Sequence, residues 1–252
     1  MKLFIFAALA APLILLSGCA VTPRAGLADQ ASTSQASPCQ QVGKIKLTAD
    51  KGFEDPDQAI QLLSACLASP VGARTEFRAL TLRMRALVYE QKKDYKHAIA
   101  DREESISLMP ARTGWDIINL ASNYRDSGQP ERAVELLRKM LQDNMGLKGK
   151  GTTPGMPSYY HLGRALIDAR QWSSAAEAFS EGMTYQQDYV WAYAYRSLAY
   201  DRMELPERAR ADIDKVRSLV RNSQPDAREE HRRTLQKPPF VELLKKYPER
   251  GS

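Results

Sequence analysis

The alternation of apolar and polar positions is clearest between Arg85 and Pro110. Ala86 and Tyr89 lie three residues apart, which places both side chains on one face of a helix. The pattern breaks at Asp94, resumes through Ile106, and ends at Pro110, which cannot continue a helix. These features predict two amphipathic helices joined by a tight turn. A hairpin of roughly 34 residues cannot bury its apolar face alone, so further copies should stack beside it.

The same packing positions recur along the chain. The small residue of the second helix recurs, at spacings of 39, 35, 42 and 34 residues, as Ala59, Ala98, Ala133, Ala175 and Ala209. The small residue of the first helix recurs as Ala86, Ala121, Gly163 and Ser197. The large residue three positions later recurs as Tyr89, Tyr124, Leu166 and Tyr200. Small side chains let the two helices approach closely, and the large residue then fills the wedge between hairpins.

This small–large–small pattern resembles the tetratricopeptide repeat family over about residues 53–216. The resemblance implies an all-α fold, an α-solenoid of about four to five helical hairpins with a C-terminal capping helix. It also implies a right-handed superhelix with a concave groove. Some positions depart from the family pattern: Gly128 is the only turn glycine, Pro110 is the only terminal proline, and Arg102 stands where an apolar residue is usual. At the other turns the glycine is replaced by Lys93, Arg170 and Glu204.

The predicted domains follow from these repeats and their flanks. They are a signal peptide (1–18), a lipidated cysteine and flexible tether (19–43), a repeat domain (44–221) and C-terminal capping helices (222–252). Residues 44–50 are ambiguous between a strand-like run and an irregular lead-in. Residues 143–157, rich in Gly and Pro, are interpreted as a flexible connection between hairpins, with a binding loop as the alternative. Gly146 is followed, after four residues, by Gly151-Thr152, without the lysine that a phosphate-binding loop requires between the last two.

The first nineteen residues resemble a bacterial lipoprotein signal. Lys2 precedes the apolar run Leu3–Leu16, which ends in Leu16-Ser17-Gly18-Cys19. The resemblance implies cleavage before Cys19, acylation of its thiol and, since Ala20 follows, an outer-membrane location facing the periplasm. An ordinary secretory signal cleaved nearby is the alternative. A tether of residues 20–43 would span roughly 25–30 Å as a flexible coil.

Two cysteines remain after Cys19, namely Cys39 and Cys66. An exported domain matures in an oxidising compartment, where paired cysteines tend to form disulfides. We therefore expect a bridge between them, the alternative being two separate thiols with Cys66 a small core residue.

Composition and motifs argue against several function classes. The net charge of +6 is spread along the helices with both signs mixed, so nucleic-acid binding is not expected. The three histidines stand apart without metal-ligand spacing, and no nucleophile motif is present. We expect no enzyme activity, no cofactor, no metal and no small-molecule substrate.

Binding is the function that remains, and the resemblance implies that first-helix residues line the groove. Leu80, Glu90 and Leu198 occupy such positions. The predicted partner-groove residues are Arg83, Leu87, Trp115, Ile118, Arg125, Asp126, Tyr160, Arg164, Asp168, Trp191, Asp201 and Arg202. Arginine and aromatic side chains are enriched at interface hot spots. Trp115 and Trp191 could alternatively pack against the preceding hairpin.

The predicted function is that of an envelope adaptor. It would bind a protein or peptide partner near the outer membrane, contacting the membrane only through its lipid, in envelope, secretion or pilus assembly. The alternatives are a structural subunit of a permanent envelope complex, or an enzyme with an unrecognised site.

Overall fold

A computed structural model describes residues 36–48, 52–109 and 113–249 of the chain. The predictions for Cys19, for residues 20–35 of the tether and for Pro110 concern residues outside these ranges. The helices of the described ranges are α1 Pro38–Gln41, α2 Pro56–Leu67, α3 Thr75–Gln91, α4 Tyr95–Leu108, α5 Gly114–Asp126, α6 Pro130–Gln142, α7 Met156–Asp168, α8 Trp172–Tyr185, α9 Val190–Arg202, α10 Pro206–Asn222, α11 Pro225–Leu235 and α12 Phe240–Lys246. A 3-10 helix, Val42–Lys44, follows α1.

The helices form four hairpins, α3–α4, α5–α6, α7–α8 and α9–α10, each packed against the next. Helix α2 packs on α3 as the second helix of an incomplete first hairpin. The predicted all-α solenoid is thereby confirmed.

Close approach of the paired helices explains the small residues. Ala86, Ala121 and Ser197 are almost fully buried. At Gly163 a Cβ atom would lie 2.6 Å from ring atoms of Phe179, so helices α7 and α8 leave no room for a side chain. Among the three tyrosines predicted to fill wedges, only Tyr124 is buried, and its hydroxyl bonds to Glu103.

The turns inside the hairpins all use left-handed backbone. Gly128 has φ +80°, and the residues that replace glycine at the other three turns, Lys93, Arg170 and Glu204, have φ between 55° and 60°. A non-glycine residue costs roughly 1–2 kcal/mol in this conformation. The repeat geometry is therefore imposed by helix packing even where the turn residue disfavours it.

The N-terminal segment is more ordered than the predicted tether. Ser37 caps α1 with a capping box, and Cys39 in α1 forms a disulfide with Cys66 in α2. In the stretch after it, β1 Leu47–Thr48 pairs antiparallel with β2 Gly52–Phe53. The side-chain amide of Gln91 donates to the Phe53 carbonyl at 2.9 Å and accepts from the Phe53 N–H at 2.8 Å. Residues 36–44 therefore belong to the folded unit and not to a free linker.

The glycine-rich connection is also structured. Strands β3 Met145–Gly146 and β4 Gly149–Lys150 form a short hairpin, and Met145 is buried against the main core. A Cβ atom on Gly114, the first residue of α5, would meet the Gly146 carbonyl oxygen at 2.5 Å. The interpretation of this stretch as a flexible connection is wrong for its strands, which pack closely on the start of α5.

Buried ion pairs recur in the first and last hairpins. The guanidinium of Arg85 donates two hydrogen bonds to Asp101, at 2.8 and 2.7 Å, and a third to Ser64. In the last hairpin Arg196 forms the same arrangement with Asp212 and Ser180. Two-point contacts between guanidinium and carboxylate satisfy both charges, so these pairs can be enclosed between helices.

Arg102, which stands at a usually apolar position, is also neutralised by a carboxylate. Its guanidinium lies 2.6 Å from the Glu90 carboxylate, which also accepts a hydrogen bond from Asn123 on α5. Glu90 is therefore engaged inside the protein and not offered to a partner.

Candidate partner-binding groove

The groove face is built from the first helices of the hairpins. Helices α5, α7 and α9 contact one another in order, and α3 is joined to α5 by an ion pair between Arg83 and Asp116, 2.9 Å apart. Asp116 is positioned by a capping box with Thr113 at the start of α5. The predicted groove residue Arg83 thus holds two first helices together, with about a quarter of its side chain exposed.

The part of this face on α3 and α5 is open. Leu80, one turn before Arg83, is 51% exposed, and Trp115, next to Asp116, is 46% exposed. Phe77 lies one further turn back on α3 and is 39% exposed. We refer to Phe77, Leu80 and Trp115 as the open face. Leu87, deeper on α3, is half-buried against a small N-terminal core cluster on which Val42 also packs.

Arginine and aromatic side chains fill the middle of the groove, on α5 and α7. Arg125 is 7% exposed, with its guanidinium 2.7 Å from Asp126 and 3.4 Å from Asp168. Arg164 lies over the Tyr195 ring at 4.4 Å and donates to the Tyr160 hydroxyl at 3.2 Å. Arg125 is thus an internal ion-pair partner, and the prediction of an accessible Arg125 is wrong.

His161, whose Nδ1 lies 3.5 Å from the Ser122 hydroxyl on α5, was not identified as a groove residue from the sequence. Burial, together with the nearby charges of Arg125 and Arg164, lowers its pKa to about 3. The imidazole is therefore neutral at physiological pH and adds no positive charge to the groove. Its position, one residue after Tyr160 on α7, was the available sequence signal.

Two further predicted groove residues are buried. Ile118 is 1% exposed and Tyr160 is 4% exposed. Tyr160 packs edge-on against Tyr189 and Tyr195 at centroid distances of 5.2 and 5.9 Å. The prediction of direct partner contact is wrong for these two residues, because adjacent first helices approach closely enough to enclose them.

The part of the face on α9 is covered by the chain's own C-terminal segment. Trp191 contacts the rings of Phe240 and His231, at centroid distances of 5.9 and 5.4 Å. Asp201 accepts a hydrogen bond from the Tyr247 hydroxyl at 2.6 Å and lies 2.7 Å from the Lys246 amine. Trp191 and Asp201 were predicted to contact a partner, and helix α12 occupies them instead.

A shallow cleft of about 600 Å³ remains at the edge of the covered part. Its lining combines Asp168 and the exposed Arg202 with apolar side chains and with Pro239 from the turn before α12. The remaining members of this lining are Ile167, Arg170, Trp172 and Leu198.

Within the described ranges, no three His, Cys, Asp or Glu side chains cluster so that they could hold a metal ion. None of the helices in that part of the chain is both long and apolar enough to span a membrane.

Comparisons with known proteins give structural similarity at low sequence identity. No family model and no curated protein matches the chain. A crystal structure of MamA is 18% identical with a TM-score of 0.55, covering 67% of this chain and 90% of MamA. MamA from Desulfovibrio magneticus RS-1 is 15% identical with a TM-score of 0.55, covering 68% and 89%.

YrrB, described as a TPR protein with an unusual peptide-binding site, is 18% identical with a TM-score of 0.51, covering 71% of this chain and 84% of YrrB. The repeated packing positions and these structural similarities together show that the chain has the tetratricopeptide-repeat fold.

Proposed function

We propose that this protein is a scaffold that captures an extended or helical segment of another envelope protein in its groove. A lipid on Cys19 holds it at the outer membrane with the repeat domain in the periplasm. The proposal involves no catalytic step, cofactor, nucleic acid or small-molecule substrate. Its only membrane contact is the lipid.

The observation that supports capture is the open face. Phe77, Leu80 and Trp115 expose large apolar surface around one ion pair, while the corresponding surface on α9 is covered. Covering apolar area contributes roughly 25 cal/mol per Å². Several such contacts reach micromolar affinity, about −8 kcal/mol, without a deep pocket. The peptide-binding site named for YrrB, which shares the fold, is a second support.

Site-specific crosslinking in intact cells tests capture. A photoreactive amino acid placed at position 80 or 115 should give the same crosslinked partner, because both positions lie on the open face. Position 135 is the matched control, since Glu135 is exposed on the second helix α6. Equal crosslinking from all three positions, or crosslinking from position 135 alone, would move the binding surface away from the groove.

The proposed anchor rests on Leu16-Ser17-Gly18-Cys19 after an apolar run. Mass spectrometry of the membrane-extracted mature protein should find an acylated Cys19 at the N-terminus. The Cys19→Ser variant should lose this modification and leave the membrane fraction. A mature protein with a free Cys19 thiol would refute the anchor without affecting the capture proposal.

A further inference from the structure

The space between the neighbouring first helices α5 and α7 is closed by a buried arginine. Arg125 of α5 is 7% exposed, and its guanidinium lies 2.7 Å from Asp126 and 3.4 Å from Asp168 of α7. One cation is thus shared by two carboxylates. The charge of this arginine is satisfied within the chain.

The same positions carry different side chains between α7 and α9. The repeat spacings of 42 and 34 residues place Ile167 of α7 at the position of Arg125, and Arg202 of α9 at the position of Asp168. A shorter, apolar side chain therefore replaces the buried arginine. The cleft of about 600 Å³ remains here, with Ile167, Arg202 and the buried Leu198 in its lining. The cation now belongs to the later helix, and α7 supplies no carboxylate at the position of Ile167.

Two arginines line this cleft without a partner. Arg170, in the turn between α7 and α8, and Arg202 are both exposed, and neither guanidinium forms a hydrogen bond or ion pair with another described residue. Asp168 also lines the cleft, but its carboxylate lies 3.4 Å from Arg125. The half-buried indole of Trp172 extends the apolar part of the lining. The cleft therefore combines an apolar floor with two positive charges that the chain leaves uncompensated.

We infer that this cleft binds an acidic side chain of the captured segment together with a neighbouring aliphatic residue. The carboxylate accepts hydrogen bonds from Arg170 and Arg202, whose planar guanidinium groups suit two-point contacts. The aliphatic side chain packs on Ile167, Leu198 and Trp172. Because the cleft is shallow, a chain can pass over it in both directions, which favours a side-chain carboxylate over a C-terminal one. The inference rests on the proposed function, since it specifies the chemistry of the captured segment.

One segment can reach both the cleft and the open face. Trp115 is the second residue of α5, whereas Arg202 is the last residue of α9, and each helix has 13 residues. A helix rises about 16 Å between these two levels, and neighbouring helix axes lie about 8–10 Å apart. An extended chain rises about 3.3 Å per residue, so about seven residues separate the group that covers Trp115 from the acidic residue.

Blocked dipeptides test the cleft directly. The chain contains three tryptophans, Trp115, Trp172 and Trp191, so fluorotryptophan labelling of the mature protein gives one fluorine resonance for each. Acetyl-Leu-Glu-amide at millimolar concentration should shift the Trp172 resonance saturably. The uncharged probe acetyl-Leu-Gln-amide should bind about fivefold more weakly, and the Trp115 resonance should not distinguish the two. Equal binding of both probes at Trp172 would overturn the inference, as would no saturable shift with either.

The source of the carboxylate is tested in the same way. Acetyl-Gln-Leu with a free C-terminus carries its carboxylate at the chain end instead of on a side chain. It should shift the Trp172 resonance more weakly than acetyl-Leu-Glu-amide. Tighter binding of the free C-terminus would show that the cleft takes a chain end, and the side-chain assignment would be wrong.

Two substitutions at the cleft have a matched control at another turn. Arg202→Gln and Arg170→Gly should each weaken binding of acetyl-Leu-Glu-amide about threefold to fivefold. Residue 170 has φ 55°, a conformation that glycine adopts without steric cost, so Arg170→Gly should not lower the melting temperature. Lys93→Gly removes the same charge from a left-handed turn outside the cleft, with φ 60°, and should leave binding unchanged. Equal weakening by Lys93→Gly, or none by Arg202→Gln, would contradict the inference.

The partner itself separates this inference from the proposed function. A segment crosslinked in cells from position 115 should contain Asp or Glu beside an aliphatic residue about seven residues away. A segment without an acidic residue near that distance would leave capture intact and show that the assignment of the cleft is wrong. If the Trp172 resonance responds to acetyl-Leu-Glu-amide but no partner crosslinks from positions 80 and 115, the carboxylate site is supported and the proposed capture fails.

Discussion

Helices α5 and α9 each carry a tryptophan as their second residue, yet the two tryptophans lie in different surroundings. Trp115 is nearly half exposed, whereas Trp191 lies under Phe240 and His231. The first hairpin, which packs against α5, and the last hairpin, which contains α9, share the same buried Arg–Asp–Ser arrangement. The two tryptophans differ in what covers them: the C-terminal segment lies on Trp191, whereas Trp115 keeps much of its surface exposed.

This comparison separates two roles for one type of position. On α9 a tryptophan and an aspartate contact the C-terminal segment, in which Phe240 and Leu243 of α12 and the following Tyr247 belong to the main core. On α5 the equivalent tryptophan adds little to the core and remains available. Changes on α9 should therefore affect stability, and changes on the open face should affect binding.

The largest expected effect is that of Phe240→Ala. Removing this buried ring should lower the free energy of unfolding by about 3–5 kcal/mol, as for other buried aromatics. Urea denaturation of the repeat domain measures the loss. A loss below about 1 kcal/mol would mean that α12 contributes little to the stability of the fold. The contrast between the covered α9 and the exposed Trp115 on α5 would then disappear.

Asp101→Ala and Asp212→Ala test whether the first and the last hairpin depend equally on their buried ion pairs. Each leaves a buried arginine without its carboxylate, so each should cost about 3 kcal/mol of unfolding free energy. Asp214→Ala is the control on the same helix as Asp212, because its carboxylate is 44% exposed and should contribute less than about 1 kcal/mol. If the two substitutions changed the unfolding free energy by very different amounts, the first and last hairpins would differ in their interiors and not only in what covers their first helices.

Lowering the pH should weaken the contact between α9 and the C-terminal segment, because Asp201 becomes protonated. Burial acts to raise the pKa of this carboxyl, but the hydrogen bonds from Lys246 and Tyr247 outweigh burial and leave the pKa below its ordinary value. A lowered pKa gives stability that is present above the ordinary value and lost as the pH falls through the lowered one.

Unfolding free energies of the wild type and of Asp201→Asn should therefore differ by a constant amount, about 1–2 kcal/mol, above pH 5. The difference should shrink below pH 4. A difference that stays constant down to pH 2 would show that the charge of Asp201 does not stabilise α12.

The smallest effect is expected for the open face. Leu80→Ala and Trp115→Ala remove partly exposed side chains, so each should change the unfolding free energy by less than about 1 kcal/mol. The same denaturation curves provide the measurement. If Trp115→Ala were as destabilising as Phe240→Ala, the open face would be part of the core and not a binding surface.

Sequence periodicity predicted the hairpins, because neighbouring helices bury one another in a regular pattern. It could not distinguish Trp115 from Trp191, since the pattern around each is the same and the distinction depends on a segment some 50 residues further along. Ile118 and Tyr160 were assigned to the groove because their spacing fits it, but spacing does not report how closely adjacent first helices approach. The ordered stretch around Cys39 was missed since its composition is that of a linker.

The disulfide between Cys39 and Cys66 has a mechanical consequence under the proposed anchoring. A partner that pulls on the groove puts tension between the repeats and the lipid. That tension enters the folded unit at Cys39 and passes through the covalent bridge directly to the end of α2. Residues 40–65 are bypassed, so β1, β2 and the contacts of Val42 with the N-terminal core bear no force. A reduced protein would instead have to resist the same pull by its non-covalent contacts, one after another from the N-terminal end.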